Sequence, residues 1–392
     1  MKSIYLDNAA TTPLDVQVFS TMKPYFQKEY GNASEFHILG RDARLAIEQA
    51  REKICHFLGG KSQEIFFTSC ATEAINLAHK GLIEALRRNF KEKPHVITTA
   101  IEHKAVLESL DHLEREGAVE ITVLPVDKWG RITLKSLKDS ILPNTVLVSV
   151  MYVNNEVGTI EPIASIGRFI RMTNKGRKRR IYFHTDATQA IQYLNTKVNY
   201  LGVDLLSLTG HKIYAPKGIG VLYVREGTPL VRQMDGGSQE SGMRSGTENT
   251  PSIVALGKAV DLVSICRVSE SSRVKQLRDK LISELLKIPE VSLTGHPKVR
   301  APHIASFVVK NVEGEAVVLL LSASRIFISS GSACTSSSLT ASHVLTAMGF
   351  PEELSHGSVR FSLGRYTKEK DINFVVAKFT KVVQRLRKMS PE

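Results

Sequence analysis

The stretch "EIFFTSCATEAINLAHKGLIEALRR", residues 64–88, contains a short β-rich run that is followed directly by a helical pattern. The same unit recurs, because "HVITTA" precedes "HKAVLESLDHLERE", and "TVLVSVM" is followed later by "IASIGRFIRMT". Alternation of strands and helices is typical of a parallel sheet with helices on both faces. We therefore predict an α/β fold.

Three further apolar runs, "RIYFHTDA", "DLLSLTG" and "GIGVLYVR", lie within residues 180–225. Their connections look too short for helices. This spacing predicts that part of the sheet is antiparallel or tightly linked.

The pattern changes after about Pro251 to long helical periodicity, and then to strand-like runs "IASFVVK" and "IFISS" with the helical "GEAVVLLLSAS" between them. The last segment carries one apolar stripe at helical spacing, formed by Ile372, Val375, Val376, Phe379, Val383 and Leu386. We predict a large domain of residues 14–258 and a smaller α+β domain of residues 1–13 and 259–392.

The composition, with 42% hydrophobic and 23% charged residues in 392, is that of an ordinary soluble globular protein. No apolar run is long enough to span a bilayer, and the start "MKSIYLDNAATTP" lacks the apolar core of a signal peptide. We expect a cytoplasmic protein without a membrane partner. The four cysteines are widely spaced, which predicts neither a disulfide framework nor a metal site.

The net charge of +13 would attract nucleic acid, acidic proteins or anionic small molecules, and "KGRKRR" at residues 175–180 is its densest cluster. A solvated helix end is the simpler interpretation of this cluster. Because no nucleic-acid-binding motif accompanies it, direct nucleic-acid binding is not expected.

Ligands of open α/β sheets bind beyond the carboxyl ends of the strands, so residues that follow each predicted strand are candidates. Cys70, Ala71 and Thr72 follow "EIFFTS" at a helix start, where free N–H groups and the helix dipole favour a phosphate. Ordinary N-capping by Ser69 or Thr72 is the alternative.

Two other strand ends carry polar side chains. His103 follows "HVITTA", where it is either structural or stacked on an aromatic cofactor. Asn154 and Asn155 follow "TVLVSVM" and could donate hydrogen bonds, although asparagine is also a common turn residue.

The sharpest signals are an aspartate and a lysine. Asp186 and Gln189 end the apolar strand "RIYFHTDATQA", where a carboxylate is costly unless it meets a cation or a proton, and we expect a positive partner for Asp186. His211 and Lys212 lie in the Gly-punctuated turn of "DLLSLTGHKIYAPKGIG", where a desolvated lysine can form Schiff bases, although most lysines are simply exposed. An aspartate and a lysine in these roles are what pyridoxal phosphate requires.

The segment "SSGSACTSSSLT" places Cys334 among small, hydroxylated residues. A structural cysteine is usually buried among large apolar neighbours, whereas this composition indicates an exposed thiol on a movable segment. An incidental cysteine in a serine-rich loop is the alternative.

The motifs "TGHKIYAPKGIG", "HTDATQ", "GGSQESGMRSGT" and "SSGSACTSSS" together resemble those of cysteine desulfurases of the NifS/IscS type, among the class V aminotransferase-like enzymes. The resemblance extends from "YLDNAATTP" to "VRFSLGRYT". It implies a fold-type I pyridoxal phosphate enzyme with a mostly parallel seven-stranded sheet. It also implies a homodimer that converts L-cysteine to L-alanine and passes sulfur to an iron–sulfur scaffold or a thiolation protein.

Carried over position by position, the resemblance implies that Lys212 binds pyridoxal phosphate as the Schiff-base lysine, that Asp186 pairs with the pyridine nitrogen and that His103 stacks on the ring and assists proton transfer. Asn155 and Gln189 would approach the cofactor's phenolic oxygen and the substrate.

The phosphate contacts implied by the resemblance are Ala71, Thr72, Thr209, His211 and, from the neighbouring subunit, Thr247. Arg360 would bind the substrate carboxylate, and Asn32 would line the substrate entrance. Cys334 would take the sulfur as a persulfide and could transiently contact an iron–sulfur cluster, with no resident metal.

Two positions depart from the family pattern, since Cys70 stands where glycine is frequent and Ala33 where proline is common. Two other readings stay open. One is a different pyridoxal phosphate enzyme, such as a selenocysteine lyase, a cysteine sulfinate desulfinase or an aminotransferase, and the other is a basic scaffold protein without activity.

Overall fold

The computed structural model describes residues 3–87, 92–331 and 341–389. The strands are β1 (Ile4–Tyr5), β2 (Ile65–Thr68), β3 (His95–Thr99), β4 (Glu120–Leu124), β5 (Thr145–Ser149), β6 (Tyr182–Asp186), β7 (Leu205–Thr209), β8 (Gly220–Val224), β9 (Val291–Leu293), β10 (Ile304–Val309), β11 (Ile326–Phe327), β12 (Ser329–Ser330) and β13 (Ser358–Ser362). The α-helices are α1 (Val16–Met22), α2 (Ile38–Leu58), α3 (Ala71–Arg87), α4 (Lys104–Arg115), α5 (Leu134–Asp139), α6 (Ile163–Asn174), α7 (Val198–Leu201), α8 (Thr250–Leu285), α9 (Gly314–Ala323), α10 (His343–Ala347), α11 (Glu352–His356) and α12 (Glu369–Met389).

A seven-stranded sheet with the order β2-β8-β7-β6-β5-β3-β4 forms the centre of the larger part of the molecule. Strands β7, β6, β5, β3 and β4 are parallel to one another, and β8 runs antiparallel to both of its neighbours. The predicted α/β class and the mostly parallel seven-stranded sheet are confirmed.

Helices cover both faces of this sheet because alternate strand residues point to opposite sides. Ile97, Val148 and Phe183 belong to one core, which they share with α2, α6 and the first half of α8. The preceding residues of two of these strands, Val96 and Leu147, belong to a second core, which they share with α3 and α4. The sheet is therefore buried on both sides, and its ligand site must lie at an edge.

A second, four-stranded antiparallel sheet with the order β12-β13-β10-β9 packs against α9, α12 and the end of α8. The predicted apolar stripe lies on α12, where Ile372, Val375, Phe379 and Val383 are buried. Strand β1 joins this part of the molecule by pairing in parallel with β11. The proposed division after residue 258 falls within α8 and stays a prediction.

The expectation that part of the sheet is antiparallel is confirmed, since β7 and β8 run antiparallel to each other. Two local details are wrong. The connection between β6 and β7 is long enough to hold the short helix α7, and these two strands are parallel, since the chain returns to the same edge before the second strand begins. The run "IFISS" is not one strand, because β11 pairs with β1 while β12 pairs with β13. Within the described ranges, no helix has the length and apolar character needed to cross a membrane.

Candidate active site

A cavity of about 300 Å³ lies at the carboxyl ends of β3, β5, β6 and β7. Ten of the residues predicted from the sequence line it: Ala71, Thr72, His103, Asn155, Asp186, Gln189, Thr209, His211, Lys212 and Arg360. They meet there because parallel strands end at the same edge of a sheet.

One wall of the cavity is the first turn of α3, which begins at Ala71. The unpaired N–H groups and the positive end of the helix dipole make this turn suitable for an anion. Strand β8 passes so close to this turn that a Cβ on Gly220 would lie 2.5 Å from the carbonyl carbon of Cys70, so only glycine fits there. A phosphate is the group that this wall favours.

Thr209 and His211 lie on the next part of the wall. Thr209 Oγ1 donates to Ile219 O at 3.0 Å, which leaves its lone pairs available as acceptors. His211 Nδ1 lies 3.2 Å from Thr11 Oγ1. Burial, with a smaller contribution from Lys212, lowers the pKa of His211 to about 4, so this ring is neutral at pH 7.

Lys212 lies in the single 3-10 turn that follows β7. Its Nζ donates to Ala9 O at 2.6 Å and to Ala10 O at 2.5 Å. Both carbonyls belong to the N-terminal segment, which therefore holds the amine at the cavity wall.

Asp186 is the last residue of β6 and is buried, with 7% of its surface exposed. Its Oδ1 accepts from Thr188 N at 2.9 Å. No basic side chain within the described residues forms an ion pair with this carboxylate, so the predicted positive partner does not come from the described chain.

His103 caps the N-terminus of α4, and its Nδ1 accepts from Ala105 N at 3.1 Å. In the neutral ring this bond places the proton on Nε2. Burial lowers the pKa of His103, and the charge of Lys212 acts in the same direction, while Asp186 opposes it. A neutral ring at the cavity wall is the result.

Gln189 is held in one orientation by two contacts. Its Nε2 donates to Ala9 O at 2.8 Å, and its Oε1 accepts from His303 Nε2 at 3.2 Å. His303 stacks on Tyr193 with ring centroids 4.6 Å apart, and burial lowers its pKa to about 3. The sequence analysis missed His303, because no local pattern marks it.

Arg360 on β13 is 4% exposed and reaches the cavity from the second sheet. Its Nη1 donates to Asn155 O at 2.9 Å, and its Nη2 donates to Asp7 Oδ1 at 2.9 Å. The neighbouring Asn154 is a turn residue, since its Oδ1 accepts from the backbone N–H groups of Glu156 and Val157.

Two predicted residues, Asn32 and Thr247, do not line the cavity, and a third lies outside the part of the chain that the structure describes. Asn32 is exposed, and its Oδ1 accepts from Ser34 N at 3.0 Å. Thr247 is exposed and follows Gly246, whose φ is +106°. Cys334 lies outside the described residues.

The described residues on either side of positions 332–340 are bound to segments of the cavity wall. On one side Ser329 pairs with Arg360 between β12 and β13. On the other side Ser342 Oγ donates to the Glu156 carboxylate, and His343 Nε2 donates to Glu102 O at 2.9 Å. The chain on both sides of positions 332–340, which we call the two stems of this segment, therefore contacts residues that line the cavity or that are next in sequence to lining residues.

The cavity wall fits pyridoxal phosphate. It combines a helix N-terminus, a lysine and a buried aspartate, which suit the phosphate, the aldehyde and the pyridine nitrogen. Two further polar atoms of its wall, Thr188 Oγ1 and Arg360 Nε, are buried and have no hydrogen-bond partner among the described residues. Cys70, which the sequence placed beside Ala71 and Thr72 at the helix start, also lines the cavity, and the lining residues that were not predicted are Ala9, Ala10, Ile75, Ala105, Met151, Val153 and Thr188.

Known proteins resemble this chain over nearly its whole length. The family model described as "Aminotransferase class-V" matches residues 4–375. Cysteine desulfurase IscS of Dictyoglomus turgidum is 45% identical over 391 residues, which cover 100% of this chain and 97% of the relative. Cysteine desulfurase of Homo sapiens is 44% identical over 396 residues, covering 100% of this chain and 84% of the relative.

Solved structures agree as well. A structure titled "NIFS-like protein" superimposes with a TM-score of 0.91 at 35% identity and covers 98% of this chain and 100% of its own. A structure titled "SspA in complex with cysteine" gives a TM-score of 0.81 at 38% identity, with 93% of this chain and 100% of the other covered.

Proposed function

The chain belongs to the class-V aminotransferase family, and we propose that it is a pyridoxal phosphate-dependent cysteine desulfurase that converts L-cysteine to L-alanine and carries the sulfur as a persulfide on Cys334. The observation that carries the proposal is the meeting of Lys212, Asp186 and Arg360 at one cavity. Relatives named as cysteine desulfurases, 42–46% identical over the whole chain, favour this activity over the lyase, aminotransferase and non-enzymatic alternatives.

Pyridoxal phosphate, when bound, withdraws electrons from the carbon skeleton of an amino acid and so makes its C–S bond cleavable. In our proposal the first turn of α3, with Ala71 and Thr72, receives the phosphate together with Thr209 and His211. Lys212, whose Nζ donates to the carbonyls of Ala9 and Ala10, would hold the cofactor covalently.

The ring is held, in this proposal, by Asp186 and His103. Asp186 supports a proton on the pyridine nitrogen, a role that fits a buried carboxylate without an ion-pair partner among the described residues. His103 presents Nε2–H from a neutral ring and can hand on a proton at that atom. Gln189 and Asn155 are placed to contact the phenolic oxygen and the substrate.

Arg360 binds the substrate carboxylate in this proposal. A guanidinium suits a carboxylate because it offers parallel donors in a fixed plane. The assignment is supported by its position on the cavity wall and by its Nε, which has no partner within the described ranges. Asn32, although exposed in the described chain, is proposed at the substrate entrance.

The sulfur transfer needs no external oxidant. The Cys334 thiolate attacks the substrate sulfur, the C–S bond breaks, and its electron pair stays with the carbon that becomes the methyl group of alanine after protonation. Cys334 retains the sulfur as a persulfide. The binding of both stems of positions 332–340 beside the cavity supports this role.

The sulfur then passes to an acceptor protein, for which we propose an iron–sulfur scaffold or a thiolation protein. We also propose a homodimer in which Thr247 completes the phosphate site of the neighbouring subunit. Its support is the exposure of Thr247 and a set of large exposed apolar side chains in the N-terminal region, which comprises Val16, Phe19, Phe26, Tyr30, Phe36 and Ile38. The two-domain division and a cytoplasmic location remain part of the proposal.

The test is to mix cofactor-loaded protein with L-cysteine and to measure alanine together with the mass of the Cys334 peptide. We expect equimolar alanine and a gain of one sulfur atom on that peptide in a single turnover. An unmodified peptide, with a cofactor spectrum that still responds to amino acids, would instead indicate a lyase or an aminotransferase.

A further inference from the structure

A second cavity, of about 690 Å³, lies at the opposite edge of the large sheet from the active site. Its walls come from the end of α6, the residues before β6, the turn before β7 and the residue after β8. The active site adjoins the carboxyl ends of β6 and β7, so a five-residue strand, about 16 Å, separates the two. A ligand here cannot take part in the chemistry at Lys212.

The lining is strongly basic. It contains six cationic side chains and one carboxylate, that of Asp204; the cations are Arg171, Lys175, Arg177, Lys178, Arg180 and Arg225. Four of the six belong to residues 175–180, the cluster that stands out in the sequence and that the desulfurase function does not use. We call this cavity the basic cleft.

Three of these cations are fixed by the protein. Arg177 donates from Nη2 to the carbonyls of Leu142, Pro143 and Thr145, at 2.9, 3.0 and 3.2 Å. Arg180 and Arg225 share Asp204, at 2.6 and 3.7 Å. The floor of the cleft is therefore built and held in place.

The other three cations, Arg171, Lys175 and Lys178, are exposed and have no carboxylate partner within the described residues. Helix α6 ends at Asn174, and a favourable interaction with its C-terminal dipole explains why Arg171 and Lys175 are basic. This interaction does not extend to Lys178, which is left without a structural role.

The character of the lining selects the kind of ligand. Protein interfaces depend on apolar and aromatic anchors at their centre. Among the described residues that line the cleft, Ile170 is the sole apolar side chain and none is aromatic. Lysine and arginine around a polar concavity are instead the groups that recognise phosphate. We propose that the basic cleft binds a polyanion through two or more closely spaced phosphates.

Two sources could supply such phosphates, the backbone of an RNA strand or a free polyphosphate. The experiment uses dimeric, cofactor-loaded protein, so that the active-site phosphate position is filled. Binding of a labelled single-stranded RNA is followed by fluorescence anisotropy, and binding of tripolyphosphate is followed by calorimetry. A polyglutamate peptide serves as the non-phosphate polyanion.

The variant is Lys175→Glu with Lys178→Glu, and the matched control is Lys370→Glu with Lys381→Glu, which changes the same charge at two exposed lysines of α12. We expect the cleft variant to weaken binding about tenfold or more. For RNA it should also reduce the slope of log K against log salt by about 1.4, at roughly 0.7 for each lost phosphate contact. The dissociation constant of the control variant should stay within about threefold of the wild-type value, as expected for a change in long-range charge alone.

The outcomes separate the possibilities. Binding of RNA alone would identify the ligand as a nucleic-acid backbone, and binding of tripolyphosphate alone would identify it as a small polyphosphate. Either result supports the proposal that the basic cleft binds phosphates. Equal weakening by the two variants, no binding of either phosphate probe, or equally tight binding of polyglutamate would overturn the proposal. If the double reversal does not fold, as judged by thermal melting, Lys175→Gln with Lys178→Gln replaces it. Desulfurase turnover without polyanion should be the same in all variants.

Discussion

Arg360 Nη2 lies 2.9 Å from Asp7 Oδ1, and this ion pair joins strand β13 to the N-terminal segment across 353 positions of sequence. The same guanidinium donates from Nη1 to Asn155 O, on the segment that follows β5. One buried side chain thus ties together three separate parts of the cavity wall. It keeps Nε unpartnered among the described residues.

Arg360→Lys should raise the KM for L-cysteine by about 10- to 150-fold, the equivalent of one buried charged hydrogen bond worth about 1.5–3 kcal/mol, with a smaller effect on kcat. A lysine keeps the charge but loses the planar fork that matches a carboxylate. Steady-state alanine formation measures this effect. The control is Arg365→Lys, which alters another arginine–aspartate pair, with Asp15 at 2.6 Å, that does not line the cavity. An equal rise in KM for both variants would count against substrate binding by Arg360.

Lys212→Ala should reduce turnover by at least about 10²–10⁴-fold, the range for loss of a positioned proton-transfer group. Loss of the covalent attachment should also shift the visible absorption of the cofactor. The exposed Lys217 lies five residues further on, and Lys217→Ala should leave both properties unchanged. Rapid alanine formation by Lys212→Ala would contradict the assignment.

A site residue could be predicted from the sequence only where the residues next to it in the chain mark its position. Asp186, Thr209 and Lys212 could be found because each ends or follows an apolar strand, and parallel strands bring their ends together. The partners of Lys212 could not be found in this way. They are backbone carbonyls of Ala9 and Ala10, and no side-chain pattern marks a carbonyl.

Residues contributed by the second sheet are harder still to predict. His303 precedes β10 and meets Gln189 only because the two sheets pack at one particular distance and angle. The connection between β6 and β7 was underestimated for a related reason, since its short helix α7 spans too few residues to give a helical period. Strand ends were thus predictable, whereas contacts between the two sheets were not.

Glu102→Gln should stabilise the protein increasingly as pH rises from 4.5 to about 8. Burial raises the pKa of Glu102 from 4.5 to about 8, although its Oε1 accepts from Met151 N and Thr99 Oγ1, both at 2.8 Å. Between these two pH values the folded state keeps a proton that the unfolded state releases. The stability that Glu102 contributes to the wild-type protein is therefore complete below pH 4.5 and is lost as pH rises through 8. The difference in free energy of unfolding between Glu102→Gln and wild type should grow by at most about 1.4 kcal/mol for each pH unit.

Thermal melting across this pH range measures the difference between wild type and Glu102→Gln. The control is Glu108→Gln, which makes the same change at an exposed position of α4. A gap between wild type and Glu102→Gln that is the same at pH 5 and pH 8 would show that the carboxyl group is already ionised in the fold.

Cys334→Ser should keep the cofactor and lose sulfur transfer, because a serine hydroxyl cannot form a persulfide. Cys70 is the informative comparison, since among the described cysteines it is the one that lines the cavity. Cys70→Ser should therefore bind the cofactor and still acquire one sulfur atom on the Cys334 peptide. Mass analysis of both cysteine peptides after one turnover distinguishes the two thiols. Sulfur on the Cys70 peptide of the wild-type protein, with full alanine production by Cys334→Ser, would show that Cys70, directly before α3, is the nucleophile.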